Sequence, residues 1–430
     1  MAEAPTPTLS ELARASLKVG CLGFGGPAGQ IALMHRIFVD EKQWIDDARY
    51  LHALNYCMLL PGPEAQQLAT YVGWLLHGVR GGVIAGALFV LPGALVVFGL
   101  SWLYAAHAQA PLIAALFYGV KAAVLAFVAE ALVKLGKRAL KTQFDLVLAG
   151  ASFLALYLFG VAFPLLILAA ALVGVWRAPK LAAARTSNEE DAQPSARGAL
   201  VTALLWGFAW LAPPVLALVL LGPRHLLTQI GALFSQLAVV TFGGAYAVLA
   251  YLQQQAVEAR HWLTPEQMID GLGLAETTPG PLILVNQFVA FIAGWQAEGG
   301  SLALAMGAAA MASWCTFAPS FVWIFAGAPF AERLRHNRFA AGALAAVAAA
   351  VLGVIASLAL WFGLHVIFAR QLTLTAPWGR VIPAPDIVSF DPLAALIALA
   401  AGVALIRFKA NVILVILACA LAGLACKSLG

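Results

Sequence analysis

Two short stretches place helix-breaking residues beside polar side chains in otherwise apolar surroundings. The first runs Pro61-Gly62-Pro63, with Glu64, Gln66 and Gln67 after it. The second runs Pro279-Gly280-Pro281, with Glu276, Thr277 and Thr278 before it and Asn286 and Gln287 after it. Proline removes a backbone donor and clashes with the preceding turn, so neither stretch suits the interior of a continuous helix. A helix that starts afresh after such a break presents unbonded N–H groups and partial positive charge, which suits an anion. Pro63 and Pro281 fit the first position of such helices, where a missing N–H costs least. Two further turns, Phe24-Gly25-Gly26 and Phe242-Gly243-Gly244, can bring backbone close to a ligand or act as a gate, because glycine has no Cβ. Gly25, Gly26, Gly243 and Gly244 therefore join the candidate binding residues. Lys121 lies mid-way along an apolar run, where a cation is a candidate to balance a bound negative charge. Glu64 and Glu276 are candidates to carry an exchangeable proton.

The elements that must position these groups are membrane helices. Hydrophobic residues make up 62% of the 430-residue chain and charged residues 10%, against roughly 25% charged in soluble domains. Apolar runs long enough to cross a bilayer recur from end to end, so the expected fold is an all-α polytopic membrane protein rather than a barrel. About thirteen segments are expected, near 11–36, 48–78, 81–106, 110–134, 143–160, 161–177, 198–222, 225–255, 265–296, 298–327, 339–366, 388–406 and 410–428. Those that are long and contain Gly or Pro are read as interrupted helices or hairpins. With the N-terminus cytoplasmic, 17 of the 25 Lys and Arg fall on the inner side, the bias expected of cytoplasmic loops. The first residues hold no apolar signal core, and a bacterial inner-membrane location is expected. The net charge of +5 follows the loops and calls for no nucleic-acid partner. The five cysteines form no C-x-x-C pair and the histidines no H-x-x-x-H spacing, so neither a metal nor a cofactor is expected. No nucleophile constellation and no G-x-x-x-x-G-K-[ST] motif suggests an enzyme or a nucleotide site.

The chain also repeats itself. Phe24-Gly25-Gly26 and Phe242-Gly243-Gly244, Trp44 and Trp262, and the two P-G-P stretches all share one offset of 218 residues. Pro92 and Pro319 pair only after nine further residues. Residues 1–177 are read as a first repeat, 178–198 as a polar cytoplasmic linker, 199–224 as an extra helix and 225–430 as a second repeat. An odd number of crossings separates the F-G-G turns, which predicts two inverted-topology repeats, a plan common among secondary transporters.

The paired motifs Phe24-Gly25-Gly26-Pro27, Pro61-Gly62-Pro63-Glu64-Ala65-Gln66, Phe242-Gly243-Gly244 and Pro279-Gly280-Pro281 resemble the chromate ion transporter family in its long, two-domain form. The resemblance covers nearly the whole chain outside the linker; Ala245 departs from it where the first copy has Pro27. It implies export of chromate, a tetrahedral dianion with sulfate as a natural competitor, and the alternative is a carrier or channel for another inorganic anion such as sulfate. The partners so implied are the oxyanion and the bilayer. A homodimer is compatible with the sequence, which does not fix the oligomeric state.

Overall fold

The computed structural model describes residues 7–108, 110–178, 196–242, 244–297, 301–328 and 338–429. The expected linker falls almost wholly outside them, as does Gly243. In chain order the helices are α1 (Leu9–Leu22), α2 (Gly26–His35), α3 (Asp47–Cys57), α4 (Glu64–His107), α5 (Pro111–Ala139), α6 (Gln143–Tyr157), α7 (Phe163–Arg177) and α8 (Ala196–Leu221). There follow α9 (Leu226–Val240), α10 (Ala245–Gln253), α11 (Pro265–Thr277), α12 (Val285–Ala297), α13 (Leu302–Gly327), α14 (Arg338–Ile367), α15 (Pro392–Ile406) and α16 (Val412–Leu429).

The fold is predominantly helical, with one departure from the all-α expectation. The Pro-rich stretch 371–387, whose prolines lead to the expectation of a loop, contains an antiparallel hairpin of β1 (Gln371–Thr375) and β2 (Val381–Pro385), in the register Gln371↔Pro385 to Thr375↔Val381. Each strand of a two-stranded sheet is an edge, and an edge tolerates Pro383 and Pro385.

Five helical stretches are long and apolar enough to cross a membrane: Glu64–His107, Pro111–Ala139, Arg197–Leu221, Leu302–Gly327 and Arg338–Ile367. Only 6% of the apolar window of α8 is buried, and Leu204, Phe208, Val219 and Leu220 stand exposed. A helix that is apolar all round and still uncovered needs lipid rather than water around it.

The chain folds into two compact units, each drawing on both sequence halves. The first comprises residues 1–101, 178–245 and 278–341. Its centre is α13, which packs against α8, α9 and α12. Trp206 lies against Phe321 and Phe325, and Trp210 against Trp323. Within this unit α4 reverses at His77-Gly78, where φ reaches 59° at Gly78. The two arms then meet through Gly73 and Gly81, whose missing Cβ atoms let backbone touch backbone.

The second unit comprises residues 102–177, 246–277 and 342–430. Here α5 packs against α11, α15 and α16, with Gly119 set directly on the carbonyl of Cys419.

The sequence repeat is also a repeat of local structure. The first copy runs α1, the F-G-G turn, α2, a π-helical turn Arg36–Glu41 and α3. The second runs α9, α10, a π-helical turn Gln254–Ala259 and α11. Both π-turns are followed by a left-handed residue, Gln43 with φ 52° and His261 with φ 53°. Trp44 N–H then bonds to Phe38 O, and Trp262 N–H to the matching Ala256 O.

Candidate anion site at the converging helix starts

Both P-G-P stretches are breaks between helices. After the first, α3 has ended at Cys57 and α4 begins at Glu64. Pro63 therefore caps the helix rather than opening it, and its carbonyl accepts the Gln67 N–H at 3.0 Å. After the second, Pro281 caps a 3-10 turn, Leu282–Leu284, that leads into α12. Pro63 thus stands one residue before α4 and Pro281 one residue before the 3-10 turn, neither at the N1 placement expected from proline preference.

The glycines of the two breaks have φ of 111° at Gly62 and 95° at Gly280, values that L side chains rarely adopt. These turns aim their N–H groups at the opposite repeat. Gly62 N–H bonds to Thr241 O at 2.9 Å, and Gly280 N–H bonds to Gly23 O at 3.0 Å. Thr241 and Gly23 immediately precede the two F-G-G turns and are themselves 218 residues apart. The P-G-P of each half is thus tied to the F-G-G of the other. Pro92-Gly93 and Pro319-Ser320 complete the exchange: Gly93 backs onto Pro279 and Gly280, while Ser320 Oγ lies beside Gly62.

A pocket lies at this crossing, wholly within the first unit. From α2 it is lined by Pro27 and Gln30, and from the start of α4 by Gly62, Pro63, Glu64 and Ala65. From the start of α10 it is lined by Gly244 and Ala245, and from the turn before α12 by Pro281, Leu282 and Ile283. Helix starts from all four interrupted elements therefore converge on one small volume. Each start contributes the positive end of its dipole and N–H groups without intrahelical acceptors. Its side-chain lining is mostly apolar, with Glu64 and Gln30 as the polar exceptions.

Other sequence candidates surround the pocket without lining it. Gly25 and Gly26 form the left-handed turn into α2, with φ of 84° and 69°. Gln67 Nε2 donates to Pro61 O at 2.7 Å, and Gln66 Nε2 to Phe317 O at 3.3 Å. Asn286 Nδ2 donates to Thr316 Oγ1 at 3.1 Å, and Gln287 Nε2 to Ala94 O at 2.8 Å. These four amides are buried and hold the broken helices to their neighbours. Thr278 is buried too, and Pro279 offers its carbonyl side to Gly93.

The remaining candidates belong to the second unit. Lys121 Nζ lies 3.6 Å from Asp270 Oδ1, and Tyr104 OH donates to Asp270 Oδ2 at 2.8 Å. Tyr246 OH donates to Glu276 Oε1 at 2.6 Å, and Thr277 Oγ1 to Leu274 O at 2.8 Å. Asp270 is a partner that sequence reading missed. It sits in an apolar segment just as Lys121 does, so the same rule for intramembrane charges would have found it.

Gln30 is the more telling omission. Its side chain is fully buried and its Nε2 donates to Gly23 O at 3.1 Å and to Gly280 O at 2.5 Å. The second copy carries Val248 at the matching position, so the search for repeated features passed over it.

Comparisons with known proteins place the chain in a family. A sequence profile described as Chromate transporter matches residues 10–175 and 228–424. The chain is 33% identical to the Chromate transport protein of Pseudomonas aeruginosa, over 98% of this chain and 94% of that one. It is 32% identical to the Chromate transport protein of Cupriavidus metallidurans, over 82% of this chain and 80% of the relative. A Probable chromate transport protein of Synechococcus elongatus is 28% identical over 91% of this chain and 96% of its own. No solved structure matches. With the profile spanning both halves and relatives matching over most of the chain, the chain belongs to the chromate transporter family.

Proposed function

We propose that this protein is a secondary transporter that exports chromate across a bacterial inner membrane, binding the oxyanion where the four helix starts converge. The observation that carries the proposal is the reciprocal crossing, in which Gly62 bonds to Thr241 and Gly280 to Gly23 around a pocket lined by helix N-termini. Backbone donors fixed in place suit a tetrahedral dianion. A local two-fold exchange of parts supports two inverted repeats among about thirteen segments, with the N-terminus cytoplasmic. Rocking of one repeat against the other would alternate access to the pocket.

The energetics favour export without a nucleotide. Moving one charge through 100 mV is worth about 2.3 kcal/mol. A dianion leaving a negative-inside cell therefore gains about 4.6 kcal/mol, or roughly three decades in concentration. Glu64 opposes an entering dianion while it is ionised. Its protonation on loading would link anion export to a proton. Sulfate has the same charge and shape and is the natural competitor. A second reading, a carrier for another tetrahedral anion, draws on the same backbone donors, which do not by themselves identify the central atom.

Lys121 is paired with Asp270 within the second unit. Replacing Lys121 with Ala strands a buried carboxylate, a loss of about 3–5 kcal/mol for such pairs. Lys121→Ala is expected to lower the amount of inserted protein and chromate efflux together. Lys121→Ala combined with Asp270→Ala should restore insertion but not full efflux, and full efflux in the double variant would remove the pair from the mechanism. The direct test of the function is chromate accumulation in cells with and without this chain. Lower accumulation with it is expected, and equal accumulation would refute chromate export.

A further inference from the structure

We infer that Gln30 is a specificity residue that favours an oxyanion carrying a hydrogen over one that carries none. The inference rests on the oxyanion reading of the pocket and extends it to the choice among anions. The orientation of the Gln30 amide is fixed by chemistry. Its Nε2 lies within hydrogen-bond distance of two carbonyl oxygens, Gly23 O and Gly280 O, and only the NH2 group can donate to both. Both donor hydrogens are thereby used. What remains on this pocket-lining side chain is the carbonyl oxygen Oε1, which is buried and has no hydrogen-bond partner. A buried acceptor left unmatched is costly, so a ligand that can donate to it gains over one that cannot.

The rest of the pocket sharpens the contrast. Its donors are backbone N–H groups at the helix starts, and they serve any oxyanion alike. The other polar side chain in the wall, Glu64, offers acceptors alone when ionised. A fully deprotonated dianion thus meets the N–H groups well but turns an oxygen lone pair toward Gln30 Oε1. An oxyanion bearing one hydrogen can turn its O–H there instead. Chromate takes up its first proton close to neutral pH, giving a monoanion with such an O–H, whereas sulfate does so only in strong acid. Two ions alike in shape and charge are then separated by basicity. A site built around a hydrogen bond rejects an analogue lacking the matching group much more strongly than a pocket that sorts by size.

Selenate and monohydrogen arsenate make the matched pair of probes. In mildly alkaline buffer both are tetrahedral dianions of near-chromate size, and only arsenate carries a hydrogen. The full chain is reconstituted in proteoliposomes, and uptake of radiolabelled chromate is measured at one fixed, mildly alkaline pH against rising selenate or arsenate. Wild-type protein should be inhibited by arsenate at a concentration at least tenfold lower than by selenate. In Gln30→Leu, which removes the acceptor, the two should inhibit at about equal concentrations. Equal inhibition of the wild type, or stronger inhibition by selenate, overturns the inference even if Gln30→Leu fails to fold. An unchanged arsenate preference in folded Gln30→Leu overturns the assignment to Gln30. Wild-type protein that takes up no chromate at all refutes the transport reading, and this inference with it.

Discussion

The two crossings of P-G-P with F-G-G share a backbone plan but not a set of side chains. At one, Gly280 N–H bonds to Gly23 O, and Gln30 adds a second bond across the same joint by donating to Gly280 O. At the other, Gly62 N–H bonds to Thr241 O, and the sequence counterpart of Gln30 is Val248, which cannot donate. Support there comes from within one repeat, where Gln67 Nε2 holds Pro61 O. The neighbours differ as well: Gly280 rests on the backbone of Gly93, whereas Gly62 faces the ends of the Gln67 and Ser320 side chains. The first crossing is therefore the stiffer. Under the proposed rocking of the repeats, such a difference would let one joint hold while the other gives, even though their backbones match.

Substitution of the two glycines should expose that difference most strongly. A Cβ on Gly280 would stand 3.2 Å from Gly93 Cα, with φ at 95°. A Cβ on Gly62 would stand 3.1 Å from the movable Gln67 Nε2, with φ at 111°. Both incur left-handed strain of about 1–2 kcal/mol, but only Gly280→Ala also pushes on backbone. Gly280→Ala is expected to abolish chromate transport and to lower Tm in detergent by more than Gly62→Ala does. Equal losses would mean that the two joints are mechanically alike.

A smaller effect is expected from the amides. Gln30→Leu should destabilise the protein by about 1–3 kcal/mol, because buried carbonyl groups lose their donor. Gln67→Met removes one local bond and should cost about 1 kcal/mol. Thermal inactivation of the two variants ranks them, and a Gln67→Met loss exceeding that of Gln30→Leu would reverse the assignment of the stiffer joint.

The smallest effect concerns the helix starts. The first copy has Pro27 where the second has Ala245, so the second offers one more N–H to the pocket. Ala245→Pro removes that donor at a helix start, where proline is tolerated. Loss of one hydrogen bond to a charged group, at about 1.5 kcal/mol, predicts roughly a tenfold rise in KM for chromate with little change in Tm. An unchanged KM would show that Ala245 N–H does not reach the anion.

Much of this architecture was legible in the sequence, for physical reasons. Proline and glycine announce a helix break wherever they fall, so the four interruptions were visible from residue types alone. The common offset of 218 residues marked the repeat because each feature is local to one copy. What the sequence could not convey was that the repeats trade partners. The bonds from Gly62 and Gly280 join backbone atoms of distant residues, and backbone atoms leave no signature in residue type. Gln30 escaped because its role depends on a carbonyl of the other repeat and its counterpart is Val248. The hairpin at 371–385 escaped because prolines in it suggested a loop, whereas both strands are edges that accommodate them. Gln66, Gln67, Asn286 and Gln287 were legible as polar residues beside the breaks, yet in the structure they brace helices and do not line the pocket.

The central claim is that chromate sits among the converging helix starts, and placing a fixed negative charge there tests it most directly. Ala65 lines the pocket in the first turn of α4 and is 3% exposed. A carboxylate about 5 Å from a dianion, at an effective dielectric constant near 20, opposes it by about 7 kcal/mol. In proteoliposomes, Ala65→Asp should lower radiolabelled chromate uptake at least a hundredfold, while Ala65→Ser, of similar small size and uncharged, should keep uptake near that of the wild type. Uptake by a folded Ala65→Asp protein equal to that of Ala65→Ser would contradict the account.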